Sequence, residues 1–300
     1  MEFILNKIIK LKPSYKSEIW GGENIKKFFN RKFKGNIAES WELSLNEKYP
    51  SYVGNTKLKD FLIKNKLFFS DFNLIIKYID AKENLSIQVH PSTNGAKDGK
   101  IEMWYILDAK QNVGIYYGLK NSISKNDLKK IVLEGTIQKY LNFVSVKKGD
   151  CFLIDSGIIH CIGAGCTLCE VQNNCDVTYR LYDYDRLDKN FKKRELHIDQ
   201  GLKSAITQKQ KPIKIKRSYK KIKSSKIRTL TKCDFFECDE IILADEYIIS
   251  NNNTLYAINV IKGSGYIENK KFFDGDSFLL KVSSQIKIKG SGVLLITCIK

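Results

Sequence analysis

Along most of this chain, hydrophobic residues alternate with polar ones in short runs set apart by Gly, Asn and Asp. Alternation at period two marks a strand with one buried face. It predicts strands at Ile37–Leu45, Asn73–Asp80, Asn84–His90, Met103–Ala109, Asp150–Ile154 and Thr167–Gln172. Further on it predicts Leu255–Ile261, Gly265–Glu268, Ser277–Val282 and Val293–Ile299, punctuated by Gly263, Gly275 and Gly290. Helical spacing is confined to Asn55–Asn65, Ser122–Gly135 and a further helix expected over Asn190–Ala205. Many short strands with few helices predict an all-β fold of the barrel or jelly-roll type.

Between the two strand-rich regions the pattern changes. Residues 203–228 carry eleven Lys or Arg and no acidic residue. Such a run could bind polyanions, but few aromatics interleave with it. The alternation in Ile213-Lys214-Ile215-Lys216-Arg217 instead predicts an exposed connector leading into an edge strand. The expected organisation is therefore 1–205 as a larger functional domain, 206–229 as a basic connector, and 230–300 as a smaller barrel. The smaller region contains no His.

Chemistry gathers in two places. In Leu85-Ser86-Ile87-Gln88-Val89-His90-Pro91, strand alternation puts Ser86, Gln88 and His90 on one face and Leu85, Ile87 and Val89 on the other. A polar face of this kind suits the lined interior of a barrel. The loop-like Ser92–Gly99 segment follows, and Glu102 can then open the next strand beside His90. The second place is Gly149–His160, where a Gly-Asp turn starts a strand and Gly157 turns the chain before His160. The remaining His, His197, falls in the expected third helix and reads as a surface residue. Cys166 and Cys169 form a C-x2-C, but on one strand they would face opposite sides and not share an ion.

These segments resemble the cupin motifs. Gly149–His160 matches G-x5-P-x-G-x2-H with Asp155 in the Pro position, and Gln88-Val89-His90 stands for His-x-His. The wording is closer still to type I phosphomannose isomerase, in its compact bacterial form. Ser86-Ile87-Gln88-Val89-His90-Pro91, Lys100-Ile101-Glu102 and Ser156-Gly157-Ile158-Ile159-His160 carry that resemblance. Trp20-Gly21-Gly22, Ala38-Glu39-Ser40-Trp41-Glu42, Lys77…Asp80 and the Glu170…Arg180 hairpin follow in the family's order. Lys100-Ile101-Glu102 departs from the family's Lys-Pro-Glu, and Cys175-Asp176-Val177 departs from Ser-Asp-Asn.

The resemblance implies two cupin barrels with a few short helices, and one metal ion on Gln88, His90, Glu102 and His160. Two imidazoles, a carboxylate and an amide oxygen form a set suited to Zn²⁺, or to Mn²⁺, Fe²⁺ or Co²⁺. One carboxylate leaves such an ion a net +1, fit to polarise a carbonyl. The implied reaction interconverts mannose 6-phosphate and fructose 6-phosphate. Lys77, Ser86, Glu170 and Asp176 are the implied substrate-binding residues, and Arg180 and Lys100 the implied catalytic ones. Asp176, Thr178 and Arg180 share one face of the expected strand Asp176–Arg180, so Asp176 could fix the guanidinium. A desolvated Lys100 near a cation could have a lowered pKa. A non-catalytic sugar-phosphate-binding cupin is the alternative.

Composition changes this picture little. The formal charge is +18, which favours anionic partners. It fits a phosphorylated small molecule, and neither nucleic acid nor membrane is expected as a partner. No apolar run approaches the ~18 residues that span a bilayer. Met1–Lys12 mixes Lys into its apolar residues without a cleavage site. Together with eight Cys outside any disulfide framework, this predicts a cytoplasmic protein with reduced thiols. A monomer or weak homo-oligomer is expected.

Overall fold

The computed structural model describes residues 7–67, 72–91, 99–188, 190–250 and 254–300. The Ser92–Gly99 loop expected between His90 and Glu102 lies, apart from Gly99, outside the described residues. Strands dominate, as the alternation requires. Each predicted strand overlaps an observed one, and in the first region most bounds agree to within two residues.

Two sheets face each other in the first region. One has seven strands and includes Glu39–Leu43, Ile75–Ala81, Glu102–Ala109, Cys151–Ile154 and Cys166–Gln172. The other has five: Ile87–Val89, Gly114–Leu119, Leu141–Ser145, His160–Ile162 and Tyr179–Tyr182. All pairings are antiparallel.

Register then decides the chemistry. Glu170 lies opposite Lys77 on one neighbour and Trp104 on the other, and Gln172 lies opposite Glu102. On the facing sheet, Gln88 lies between His160 and Arg180. Directly opposed residues share a face, so these polar side chains project together into the space between the sheets. The odd-numbered partners Ile87 and Val89 turn the other way, fully buried. There they meet the helix Ile198–Ser204, whose Gly201 packs so closely that a Cβ would fall 2.5 Å from Leu181 Cδ2.

The outer face of the seven-stranded sheet is apolar. Ile76, Tyr78, Met103, Tyr105, Val171 and Cys169 form one core with Phe236, Cys238, Ala257, Leu279, Leu295 and Ile299. Those partners belong to an eight-stranded C-terminal sheet. Cys166 lies instead in the core that runs between the first two sheets. Cys166 and Cys169 thus sit on opposite faces, as their spacing requires.

The C-terminal sheet also buries a second apolar cluster made only of its own residues, among them Leu243, Ile258, Phe278, Ile288 and Leu294. A flat sheet cannot bury a face against itself, so this sheet curls. Its strands Phe236–Ser250 and Gln285–Ile299 run 15 residues each. Their length, and that of Thr254–Ile267, exceeds what the broken alternation predicts. The difference lies at Gly263 and Gly290, which read as turns but continue the strands, paired with Gly292 and Gly265. Gly263 and Gly292 oppose each other at φ +120° and +149°, and a Cβ on either would lie 2.0 Å from a carbonyl oxygen of the paired strand. Glycine here permits a sharply coiled ladder without a break.

The sheets also cross the expected segment boundaries. Lys7–Leu11 pairs with Ser277–Val282 in the C-terminal sheet. Within the basic stretch, Ile213–Lys214 adds to the edge of Cys151–Ile154, as the IKIKR alternation predicts. Ser225–Lys232 is already a strand of the C-terminal sheet. The observed helices are Asn24–Phe29, Leu58–Lys64, Lys125–Leu133 and Ile198–Ser204. Ser124 caps the third through the Asp127 N–H at 3.1 Å. The fourth is shorter than expected, because residues before Ile198 hydrogen-bond to a strand instead.

Candidate metal centre and active site

Three side chains converge at the floor between the two facing sheets. His90 Nε2 lies 2.9 Å from Glu102 Oε1, and His160 Nε2 lies 3.8 Å from Glu102 Oε2. His90 comes from just beyond the strand Ile87–Val89, His160 from the start of His160–Ile162, and Glu102 from the start of Glu102–Ala109. All three are buried, and a ligand atom of each lies within 4.8 Å of the others.

The backbone fixes the tautomers. His90 Nδ1 donates to Val177 O at 2.9 Å, and His160 Nδ1 donates to Ile158 O at 2.8 Å. Each Nε2 is then a bare lone pair. Among the described residues, His90 Nε2 and Glu102 Oε2 are buried without a hydrogen-bond partner, and Glu102 Oε1 has the Lys100 ammonium. Burial, with Lys100 nearby, keeps His90 below its ordinary pKa. Burial and the His90 imidazole hold His160 at about 3. Two neutral imidazole lone pairs facing a carboxylate repel it unless a cation sits between them. The residues therefore fit a divalent metal ion. The Gln88 amide lies 3.3 Å from His160 Nε2. Rotated about its last torsion, it would bring its oxygen to the same point as a fourth donor.

A cavity of about 380 Å³ opens above this floor. Lys77, Ser86, Gln88, Lys100, Glu102, Glu170, Asp176 and Arg180 all line it. The sequence-derived set is thus brought together, with the two His just behind the wall. Lys100 Nζ pairs with Glu102 Oε1 at 2.6 Å. Burial acts to lower the Lys100 pKa, but Glu102, Glu170 and Asp176 outweigh it and hold the group above its usual value. With no cation beside it, Lys100 is a firm ammonium, suited to hold negative charge rather than to give up its proton. Glu170 behaves oppositely. Burial, then the Glu102 charge, raise it to about 7, although Trp104 Nε1–H donates to it at 2.9 Å.

Asp176 does not fix Arg180. The strand begins at Tyr179, so Asp176 is not part of it. Asp176 Oδ1 instead pairs with Lys77 Nζ at 3.2 Å. Lys77 also lies 3.9 Å from Glu170 and 3.9 Å from the centre of the Trp41 ring. Arg180 Nη1 donates to Glu195 O at 2.7 Å. His197 is not a bystander either. Its Nδ1 accepts from Arg180 N at 3.2 Å, and its own N–H donates to Arg180 O at 2.8 Å. The cavity further includes Glu39, which the sequence marks only as part of the Ala38–Glu42 motif, and Lys16, Lys48 and Arg194, which sequence reasoning missed. These last three come from loops and a strand end that carry no periodic signal of a site.

A β-sandwich holding two His and one Glu at its floor under a cation-lined cavity defines a metal-binding enzyme of the cupin type. The profile for phosphomannose isomerase type I, catalytic domain, matches residues 8–116. The chain is 31% identical to mannose-6-phosphate isomerase ManA of Bacillus subtilis (strain 168) over 93% of this chain and 95% of that protein. It is 32% identical to the putative mannose-6-phosphate isomerase YvyI of the same strain, over 96% and 98%. The crystal structure of mannose 6-phosphate isomerase from Bacillus subtilis superposes with a TM-score of 0.87 at 31% identity, covering 97% of this chain and 99% of that one. The chain belongs to the type I phosphomannose isomerase family and is an aldose–ketose isomerase of it.

Proposed function

We propose that the protein interconverts mannose 6-phosphate and fructose 6-phosphate with one zinc ion held by Gln88, His90, Glu102 and His160. The observation that carries this reading is the pair of unprotonated, backbone-oriented Nε2 atoms aimed at a buried carboxylate beneath a cavity rich in cations. A mannose 6-phosphate isomerase of the same fold, 14% identical, binds zinc and yttrium. The donor set suits zinc with an open coordination position.

When bound, the ion would polarise the sugar's carbonyl and hydroxyl oxygens. The protein's own groups then orient the open-chain sugar and move a proton between C1 and C2. Glu170, with a pKa of about 7, is poised to take and return a proton near neutrality. Lys100 supplies the positive partner for a sugar oxygen that gains negative charge. Arg180, next to Gln88 in register, offers donors to the same oxygens. Lys77, Ser86 and Asp176 contact the substrate from the surrounding wall. The eight free cysteines support a reducing, cytoplasmic setting.

A coupled assay with mannose 6-phosphate, before and after chelation and zinc restoration, tests the reading. Turnover is expected to vanish with the metal and return with it. Absence of turnover in stoichiometrically metal-loaded protein would favour a sugar-phosphate-binding cupin without catalysis.

A further inference from the structure

Resting on the isomerase reading above, we infer that Arg194 binds the phosphate group of the sugar at the mouth of the cavity. No sequence motif marks this residue; its placement does. Arg194 lines the same cavity as Arg180. Its side chain is 17% exposed, whereas Glu102, His90 and His160 are at most 1% exposed. Arg194 therefore lies nearer solvent than the metal floor. The reacting carbons C1 and C2 belong at the floor beside Glu102 and Lys100. The phosphate sits on C6, at the far end of the chain, and so belongs toward the mouth.

Most cations of the cavity are already matched by carboxylates. Lys100 is paired with Glu102, and Lys77 with Asp176 and Glu170. Lys16 sits between Glu39 at 3.0 Å and Glu18 at 3.1 Å. The guanidiniums are in excess. Asp183 is shared between Arg194, through Nε at 2.7 Å and Nη2 at 2.6 Å, and Arg186, through Nη2 at 2.6 Å. Arg186 spends its other nitrogens on the carbonyls of Asp183 and Asn84. Among the described residues, Arg194 Nη1 has only Glu18, at 4.0 Å, beyond hydrogen-bonding distance. Arg180 Nε is buried without a partner. Two guanidiniums thus keep unspent donors in one cavity, and each is fixed in place from behind.

The electrostatics agree. Arg180 is held below its usual pKa by burial and then by the Arg194 charge. A dianion between the two would relieve that repulsion and take charge-assisted hydrogen bonds from both. The segment carrying Arg194 is itself tied to the Arg180 strand by Glu195 O and both bonds of His197. The two guanidiniums are therefore held as one unit.

The test titrates metal-loaded wild type, Arg194→Met and Arg194→Lys with fructose 6-phosphate and with inorganic phosphate by calorimetry, alongside steady-state kinetics. Loss of charge-assisted hydrogen bonds should weaken fructose 6-phosphate binding about 30-fold in Arg194→Met and raise KM by a similar factor. kcat should stay within about threefold, since the reacting carbons are untouched. Inorganic phosphate binding should weaken in parallel, with Arg194→Lys between the two, because a point charge replaces the fork. Arg194→Lys also keeps a charged partner for Asp183 should Arg194→Met fold poorly. Unchanged affinity for both ligands in either folded variant overturns the inference. So does a fall in kcat with KM unchanged, which would make Arg194 a positioning residue for Arg180. If wild type turns over no mannose 6-phosphate, the isomerase reading fails by itself, and the binding comparison still decides whether Arg194 holds a phosphate.

Discussion

The two halves of this molecule use the same alternation and reach opposite ends. In the first, the strands that carry the candidate ligands are as short as Ile87–Val89 and His160–Ile162, three residues each. Their ends open into a cavity, and the inward positions are polar: Ser86, Gln88, His90, His160, Glu170. In the second, Phe236–Ser250 and Gln285–Ile299 pair across all fifteen positions, and the enclosed cluster is wholly apolar. Several of its buried polar groups instead meet the first half. Ser277 donates to Glu42 at 2.7 Å, and Glu240 accepts from Tyr105 at 2.6 Å. A curled sheet becomes a site where its inward residues are polar and its strands stop early. Otherwise it is a support.

The sharpest way to break this contrast is to remove one ligand. His160→Ala is expected to lose bound metal and to lower activity by on the order of a thousandfold, the scale of losing a charge-stabilising group. Metal analysis and the coupled assay read both. Stoichiometric metal retained in this variant would remove His160 from the ligand set.

The supporting half should respond in the opposite sense. Leu294 is fully buried in the apolar cluster of the C-terminal sheet. Leu294→Ala should destabilise the protein by about 3 kcal/mol through lost burial and the cavity left behind, with kcat nearly unchanged. Urea denaturation and kinetics on the same sample check it. A large fall in kcat at full folding would show that the second half tunes the site.

Much of this was legible in the chain because the site depends on period two. Ser86, Gln88 and His90 alternate with fully buried Ile87 and Val89, and that needs only a strand. The identity of neighbours across strands needs register, which no local pattern gives. Asp176 therefore read as a partner of Arg180, whereas the strand starts too late and Lys77 takes it. His197 read as a surface residue of a long helix, because its bonds to Arg180 are made with a strand seventeen residues back. Arg194 and Lys16 were hidden for the same reason. The long C-terminal strands were obscured by glycines, which mark turns elsewhere in the chain but here coil a continuous ladder.

The smallest expected effect separates two opposing titrations within the first half. His160 is held at about 3 by burial and its His90 neighbour. Below the ordinary pKa of about 6.5, the unfolded chain takes up that proton and the folded one does not. His160 therefore contributes stability that is present above pH 6.5 and lost as pH falls, about 2 kcal/mol between pH 7 and 5. Glu170 is raised to about 7 by burial and then by Glu102. Its folded form binds a proton before the unfolded chain does. It contributes stability at pH 5 that is lost as pH rises through 7, on the order of 2 kcal/mol over the same interval. The two slopes nearly cancel in chelator-treated protein. Glu170→Gln removes only the second, so the variant should lose about 2 kcal/mol more than the parent between pH 7 and 5, read from urea midpoints. All three His lie at or before residue 197, so the histidine share of this slope belongs to the first half. Equal slopes for variant and parent would mean that Glu170 stays ionised in the folded protein, and its part in moving the proton would have to pass to another group.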